Sequence, residues 1–395
     1  MMRLFLATAL SLALGLGPAQ AQTVAQLQQA AEAGQVAAQF QLADRLRKGE
    51  GILQNYARAA QWYAAAAAQG DARAQNSLGA LYIKGLGVPA DPAKGFALLE
   101  VAANSGAAKH LHDLATAYQQ GIGTAADPAR AATLFRQASD LGLAESTVSL
   151  GVLYQGGEGV TRDIARAIEL YSGPAEAGHA RAQNNLGLIY VRGEGVAQDY
   201  EAAVGWFRKA AEQGLPVALT NLGVMYENGF GIARDEAEAK RLYRLAGQGD
   251  AEGGEKALHL VADPRLLPPD PDQVEAYLAA ANAGDPVAQY LLGYVLVSTA
   301  PTNANFRTAA KLFEAAAQAG LPAAMANLGV LTFEGKGALQ DYVEGYKWLT
   351  LASAGGLPGA IGLRDDLAAR MTSDQINAAN AAAEIAWVAQ RETSQ

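Results

Sequence analysis

Apolar side chains recur along most of this chain at helical spacing, and they come as pairs of stripes. Ala182, Leu186 and Tyr190 lie four residues apart and so share one helix face. Ala203, Trp206, Phe207 and Ala210 follow with the offsets of a second amphipathic helix. The first face returns as Ala74, Leu78 and Tyr82, and again as Ala218, Leu222 and Tyr226. Between the stripes stands a Gly-x-Gly turn, Gly193/Gly195 in this unit, matched by Gly49/Gly51, Gly85/Gly87, Gly121/Gly123, Gly157/Gly159, Gly229/Gly231 and Gly335/Gly337. Glycine accepts the left-handed backbone that closes a helix, so each pair predicts the end of a helix A. The start of helix B is marked separately. Asp91-Pro92, Asp127-Pro128 and Asp270-Pro271 set a capping carboxylate before a proline at the first helical position, and Asp163, Asp199, Asp235 and Asp341 hold the equivalent place. The pattern therefore predicts antiparallel helical hairpins, with Gly187, Gly223 and Gly329 allowing neighbouring helices to approach closely.

A marker glycine fixes the period: Gly34, Gly70, Gly106, Gly142, Gly178, Gly214, Gly249, Gly284, Gly320 and Gly356, with seven of nine intervals equal to 36 residues and two equal to 35. Such regularity predicts an all-α fold, an α/α superhelical solenoid of about nine 36-residue hairpins, in which each unit buries its apolar face on its neighbours. The pattern lapses between Gly249 and Gly284, where Asp263-Pro264 through Pro268-Pro269-Asp270-Pro271 replaces the usual turn. Because the spacing survives, a degenerate unit that stays stacked is expected there, the alternative being a hinge between two blocks. The next unit also loses its Gly-x-Gly turn, to Ser298-Thr299-Ala300-Pro301-Thr302-Asn303. The expected divisions are residues 1–21, 22–261 as an N-terminal repeat block, 262–356 as C-terminal repeats following the Pro-rich unit, and 357–395 as closing helices and tail.

Residues 1–21 read as a secretory signal peptide. Arg3 precedes an apolar run from Leu4 to Leu16, and Pro18-Ala19-Gln20-Ala21 offers small residues for cleavage. The run is shorter than the roughly 20 residues a membrane-spanning helix needs. The expected location is the periplasm, or outside the cell. Half of the residues are hydrophobic and 17% are charged, enough apolar material for a folded core. A formal charge of −9 removes the attraction that supplies most nucleic-acid affinity. With no cysteine in the chain, disulfide frameworks, thiol catalysis and thiolate metal sites are excluded.

The recurring Leu-Gly-x-x-Tyr, Gly-x-Gly-Val and Asp-Tyr text, held in one register over roughly residues 30–356, resembles the Sel-one-like repeat, a relative of the tetratricopeptide repeat. The tail from Ala369 through Ile376 to Trp387 resembles the closing segment of bacterial members. The resemblance implies hairpins stacked into a right-handed superhelix whose concave face is lined by the A helices. It also implies a non-enzymatic role in binding a protein or peptide partner in the envelope, as scaffold or regulator.

Chemistry-bearing motifs are sparse. No H-E-x-x-H, S-x-x-K or G-x-S-x-G occurs, and the Gly-x-Gly pairs follow helices and lack the Lys-Ser/Thr of a phosphate loop. His110 and His112 point to different sides of one helix, and His110 takes a small-residue core slot. No catalytic residue, metal site or cofactor is assigned. The candidate site is the groove. Positions 3, 6, 10, 13 and 14 after each marker glycine are assigned to it using the geometry that the resemblance implies. They are basic or amide-bearing at Arg73, Asn76, Lys84, Arg181, Asn184 and Arg192, which suits an acidic group of a peptide. They are apolar at Val152, Leu188, Val224, Tyr290 and Tyr294, some of which would instead pack against the next repeat. The expected ligand offers an acidic group near Arg181 and Arg192 and apolar side chains around Leu188. A cell-wall glycan-binding accessory or an envelope hydrolase is the alternative reading.

Overall fold

The computed structural model describes residues 23–247 and 260–392, so the segment read as a signal peptide and Gly249 lie outside the described residues. All regular structure among them is helical. The A helices of the hairpins are α2 (Val36–Lys48), α4 (Ala72–Lys84), α6 (Ala108–Gln120), α8 (Ala144–Gly156), α10 (Ala180–Arg192), α12 (Pro216–Asn228), α15 (Pro286–Thr299) and α17 (Pro322–Glu334). Their B partners are α3 (Tyr56–Ala68), α5 (Pro92–Ala103), α7 (Pro128–Asp140), α9 (Ile164–Glu176), α11 (Tyr200–Glu212), α13 (Glu236–Leu245), α16 (Asn303–Gln318) and α18 (Tyr342–Ala354). Single helices α1 (Val24–Glu32), α14 (Val274–Asn282), α19 (Ala360–Ala368) and α20 (Ser373–Glu392) complete the chain.

The boundaries follow the local chemistry. Asp91, Asp127, Asp163, Asp199, Asp235 and Asp341 each accept a hydrogen bond from the backbone N–H three residues on, which satisfies one orphan donor of the B helix. The first glycine of each Gly-x-Gly pair caps helix A with φ between 64° and 74°. The second has a different duty. A Cβ on Gly87 would lie 2.2 Å from the Tyr56 carbonyl carbon, and one on Gly123 would lie 2.0 Å from the Pro92 oxygen. In each case the turn of one unit is pressed onto the first residue of helix B in the unit before, and this contact carries the 36-residue repeat from hairpin to hairpin. Within a hairpin, a Cβ on Gly187 would meet Cε1 of Phe207 at 2.5 Å, and one on Gly223 would meet Tyr243 Cε1 at 2.6 Å. These positions hold glycine because an aromatic ring of helix B occupies the space of the missing side chain.

Two features depart from a plain stack. The unit over 249–283, expected to be degenerate but stacked, is described only from residue 260. Residues 260–270 form no helix, Asp270 caps a 3-10 turn at Pro271–Gln273, and only a B-type helix, α14, follows and packs on α15. The chain also returns on itself. The Tyr346 hydroxyl on α18 donates to Gln54 Oε1 at 2.9 Å, Asn377 of α20 bridges the Gly85 carbonyl and the Gly87 N–H at 2.7 and 2.8 Å, and Asn55 donates to Glu384 at 2.9 Å. Leu53 joins the apolar cluster built by α14–α18. Arg364 of α19 lies fully buried in this seam, its guanidinium donating to the Lys48 carbonyl at 2.8 Å and pairing with Asp365. The last helices thus dock on the turns of the first two hairpins.

Candidate functional site

Two positions on consecutive A helices organise the groove. The residue six places after one marker glycine and the residue seven places after the next are 37 apart, and in two places this register brings polar side chains together. Asn76 donates to Asp113 at 2.8 Å, and Asn221 donates to Asn184 at 2.8 Å. Asn76 leaves its Oδ1 buried without a partner. The same register in the C-terminal repeats holds Tyr290 and Asn327, and there both side chains turn to the protein's own backbone. Val261 N–H donates to Asn327 Oδ1 at 2.6 Å and Asn327 Nδ2 donates back to the Val261 carbonyl at 3.1 Å. The Tyr290 hydroxyl donates to the same carbonyl at 3.2 Å and accepts from Asp263 N–H at 3.3 Å. Burial pushes the Tyr290 hydroxyl up to about 12, so it stays protonated and able to donate.

The segment so held is not helical, closes a turn from the Leu266 N–H to the Asp263 carbonyl, and fits its surroundings. Leu260, Val261 and Leu266 pack on the apolar cluster of α14–α18. The Asp263 carboxylate is buried, pairs with Arg265 at 2.7 Å and is thereby held below the ordinary carboxylate range, while Arg265 also donates to the Gly356 carbonyl. One side-chain amide satisfying both backbone groups of a single residue is how a helical surface can replace a β-strand neighbour. Covered in this way, Asn327 is 0% exposed and α17 is buried along 11 of its 13 residues.

The expected groove residues divide by burial. Arg181, Arg192, Lys84 and Arg73 are exposed, and Val224 is 38% exposed. Arg73 is engaged, bonding to Asp71 and lying 4.3 Å over the Phe40 ring. Arg192 lies 3.8 Å from Glu194. Val152, Leu188 and Tyr294 are half-buried. Asn184, at 4% exposure, and Tyr290, at 1%, are corrected as open groove walls. Position 6 faces the neighbouring A helix rather than the middle of the channel, so its side chain is reached only through its partner at position 7. Lys84 stands apart from the others, at the end of α4 against the start of α20. Arg181 and Arg192 are eleven positions apart on α10, about 16 Å along the axis, so one carboxylate cannot serve both. Asn221 and Asn327 escaped the sequence reading. Their signal was available, because each stands 37 residues after a residue that was singled out.

His110 and His112 serve the packing of the helices. His110 Nδ1 and the Ser105 hydroxyl are 2.8 Å apart, His112 Nδ1 meets Ser146 Oγ at 2.8 Å, and burial holds both imidazoles below their ordinary range. Among the described residues no cluster of three or more metal-ligating side chains forms, and no helix is long and apolar enough to cross a membrane.

The Sel1 repeat family matches residues 36–71, 72–106, 111–143, 144–179, 180–215, 216–250, 286–321 and 322–357, and the chain belongs to that family. Its fold is the all-helical Sel1-repeat solenoid, an architecture generally used as a non-catalytic scaffold for protein interaction. Among solved structures, the chain is similar to a protective antigen of uropathogenic Escherichia coli strains that displays an SLR fold, at 28% identity over 93% of this chain and 89% of that one, with a TM-score of 0.49. It is also similar to a Sel1 repeat protein from Oxalobacter formigenes, at 28% identity over 58% of this chain and 98% of that one, with a TM-score of 0.52. No curated protein matches the chain in sequence.

Proposed function

We propose that this protein is an exported, non-enzymatic scaffold or regulator of the bacterial envelope that binds a segment of a partner protein along its A helices. The observation that carries the reading is the double hydrogen bond between Asn327 and the backbone of Val261. The A helices there already hold a non-helical stretch of polypeptide by its backbone, supplied in cis. The N-terminal repeats repeat that register at Asn184 and Asn221, with no segment of the described chain bonded to the pair. Around it stand Arg181 and Arg192 at the two ends of α10, with Leu188 between them and Val224 on α12. The partner segment is therefore apolar at its centre and acidic toward its ends. Export rests on the apolar run Leu4–Leu16 and the small residues Ala19 and Ala21.

Selection of binders from a random peptide display library on the mature chain tests this. Enriched peptides should carry an apolar centre flanked by acidic residues. Their affinity should fall at least tenfold with Asn221→Ala, should fall again with Arg181→Glu and Arg192→Glu together, and should weaken with added salt. Peptides that bind both variants as they bind the unaltered protein would refute the groove assignment.

A further inference from the structure

The seam that closes the solenoid leaves an open cleft of about 590 Å³ between α20 and the turns that end α2 and α4. Most polar groups in its wall serve the seam. Ser373 donates to the Lys84 carbonyl at 2.5 Å, Asn377 spans Gly85 and Gly87, and Asn55 takes one oxygen of Glu384. Asn380 does not fit that account. It lines the cavity, is 5% exposed, and its Nδ2 is spent on the Ile376 carbonyl, which leaves Oδ1 buried with no hydrogen-bond partner. An orphan acceptor at this depth costs free energy, which a ligand N–H in the cavity would recover once the amide turns to meet it. Helical spacing puts Asp374, Asn377, Asn380 and Glu384 on one side of α20, so the helix presents acceptors and negative charge to the cavity, while Lys84 lines it from the other side.

We propose that this cavity binds a small zwitterion of amino-acid to dipeptide size, its cationic N–H groups toward Asn380 and the α20 carboxylates and its carboxylate toward Lys84. The site is separate from the A-helix groove, and the inference does not depend on the peptide-binding reading.

Isothermal titration of the mature chain with L-arginine, with agmatine, which lacks the carboxylate, and with succinate, which lacks the cation, tests it. Arginine should bind saturably at one site, and agmatine and succinate at least about tenfold more weakly. Lys84→Ala and Asp374→Asn change exposed side chains at the rim and should each weaken arginine by about tenfold. Asn380→Leu, with its helicity and melting temperature measured alongside, should abolish binding. Asn327→Ala should leave arginine binding unchanged, which separates this site from the groove. No saturable binding of arginine at millimolar concentration, equal binding of agmatine, or an affinity untouched by the two rim variants would overturn the proposal.

Discussion

On α10 and α12, Asn184 and Asn221 bond to each other across 2.8 Å, whereas on α15 and α17 the residues in the same register, Tyr290 and Asn327, both bond to the backbone of Val261. The surroundings differ accordingly. Around the first pair Arg181 and Val224 remain exposed, while around the second the A helix is buried nearly throughout. The repeat supplies the geometry in both places, and the occupant of the groove decides whether its polar pair is turned inward on itself or spent on a polypeptide. An amide pair that can satisfy itself when empty avoids the penalty of buried unpaired groups, and so can be carried in a groove that waits for a ligand.

The comparison can be broken at its foundation first. Leu186 is buried between helices and repeats the core contact of every unit, so Leu186→Ala should cost about 2 to 5 kcal/mol, whereas Arg181→Ala, on the exposed side of the same helix, should cost under about 1. Urea unfolding of both variants decides it, and equal losses would mean that the assignment of core and groove is wrong.

Next in size comes the occupied pair. Asn327→Ala strands the N–H of Val261 and leaves its carbonyl to the Tyr290 hydroxyl alone, and should cost about 1 to 3 kcal/mol, while Asn184→Ala, which leaves Asn221 beside a groove open to water, should cost about 1 or less. Thermal melts that rank the two in the opposite order would mean that the polypeptide in the C-terminal groove contributes nothing to its clamp.

Limited proteolysis sharpens the same contrast. Because Leu260–Leu266 is packed and bonded in the groove and the terminal helices are tied to the first turns, cleavage within 260–266 should be slow, and it should become several-fold faster in Asn327→Ala. Rapid cutting there in the unaltered protein would mean that this segment is a hinge.

The smallest expected effect lies with the histidines. Burial holds His110 and His112 below their unfolded pKa, so the unfolded chain binds more protons as the pH falls. Their stabilising contribution is complete above about pH 6.5 and is lost as the pH falls from there through the folded values. Urea midpoints at pH 7.5 and 5.5 should drop less for His112→Asn than for the unaltered chain.

The hairpins, their caps and their period were legible because each is written locally. Aspartate at the N-cap, glycine at φ near 70° and an apolar stripe are requirements that neighbouring residues impose on one another. The groove was legible only in register. Position 6 recurs at Asn76, Asn184 and Tyr290, but its burial depends on the next helix, and a pattern within one unit does not report on its neighbour. Nothing local told where residues 260–266 would lie, since an irregular segment has no periodicity of its own and its partners Tyr290 and Asn327 are 27 to 66 residues away. The docking of α20 on the first turns is a contact across 289 to 329 residues, specified by Asn377 and Glu384, which in sequence look like ordinary polar positions on a solvated helix.

Amide hydrogen exchange at Val261 tests most directly the claim that the groove is a reader of polypeptide backbone. Bonded to Asn327 Oδ1 at 2.6 Å, the Val261 N–H should exchange far more slowly than its intrinsic rate, and Asn327→Ala should abolish that protection while the amides of α10 and α12 keep theirs. Exchange of Val261 at the intrinsic rate in the unaltered protein, or protection that survives Asn327→Ala, would contradict it.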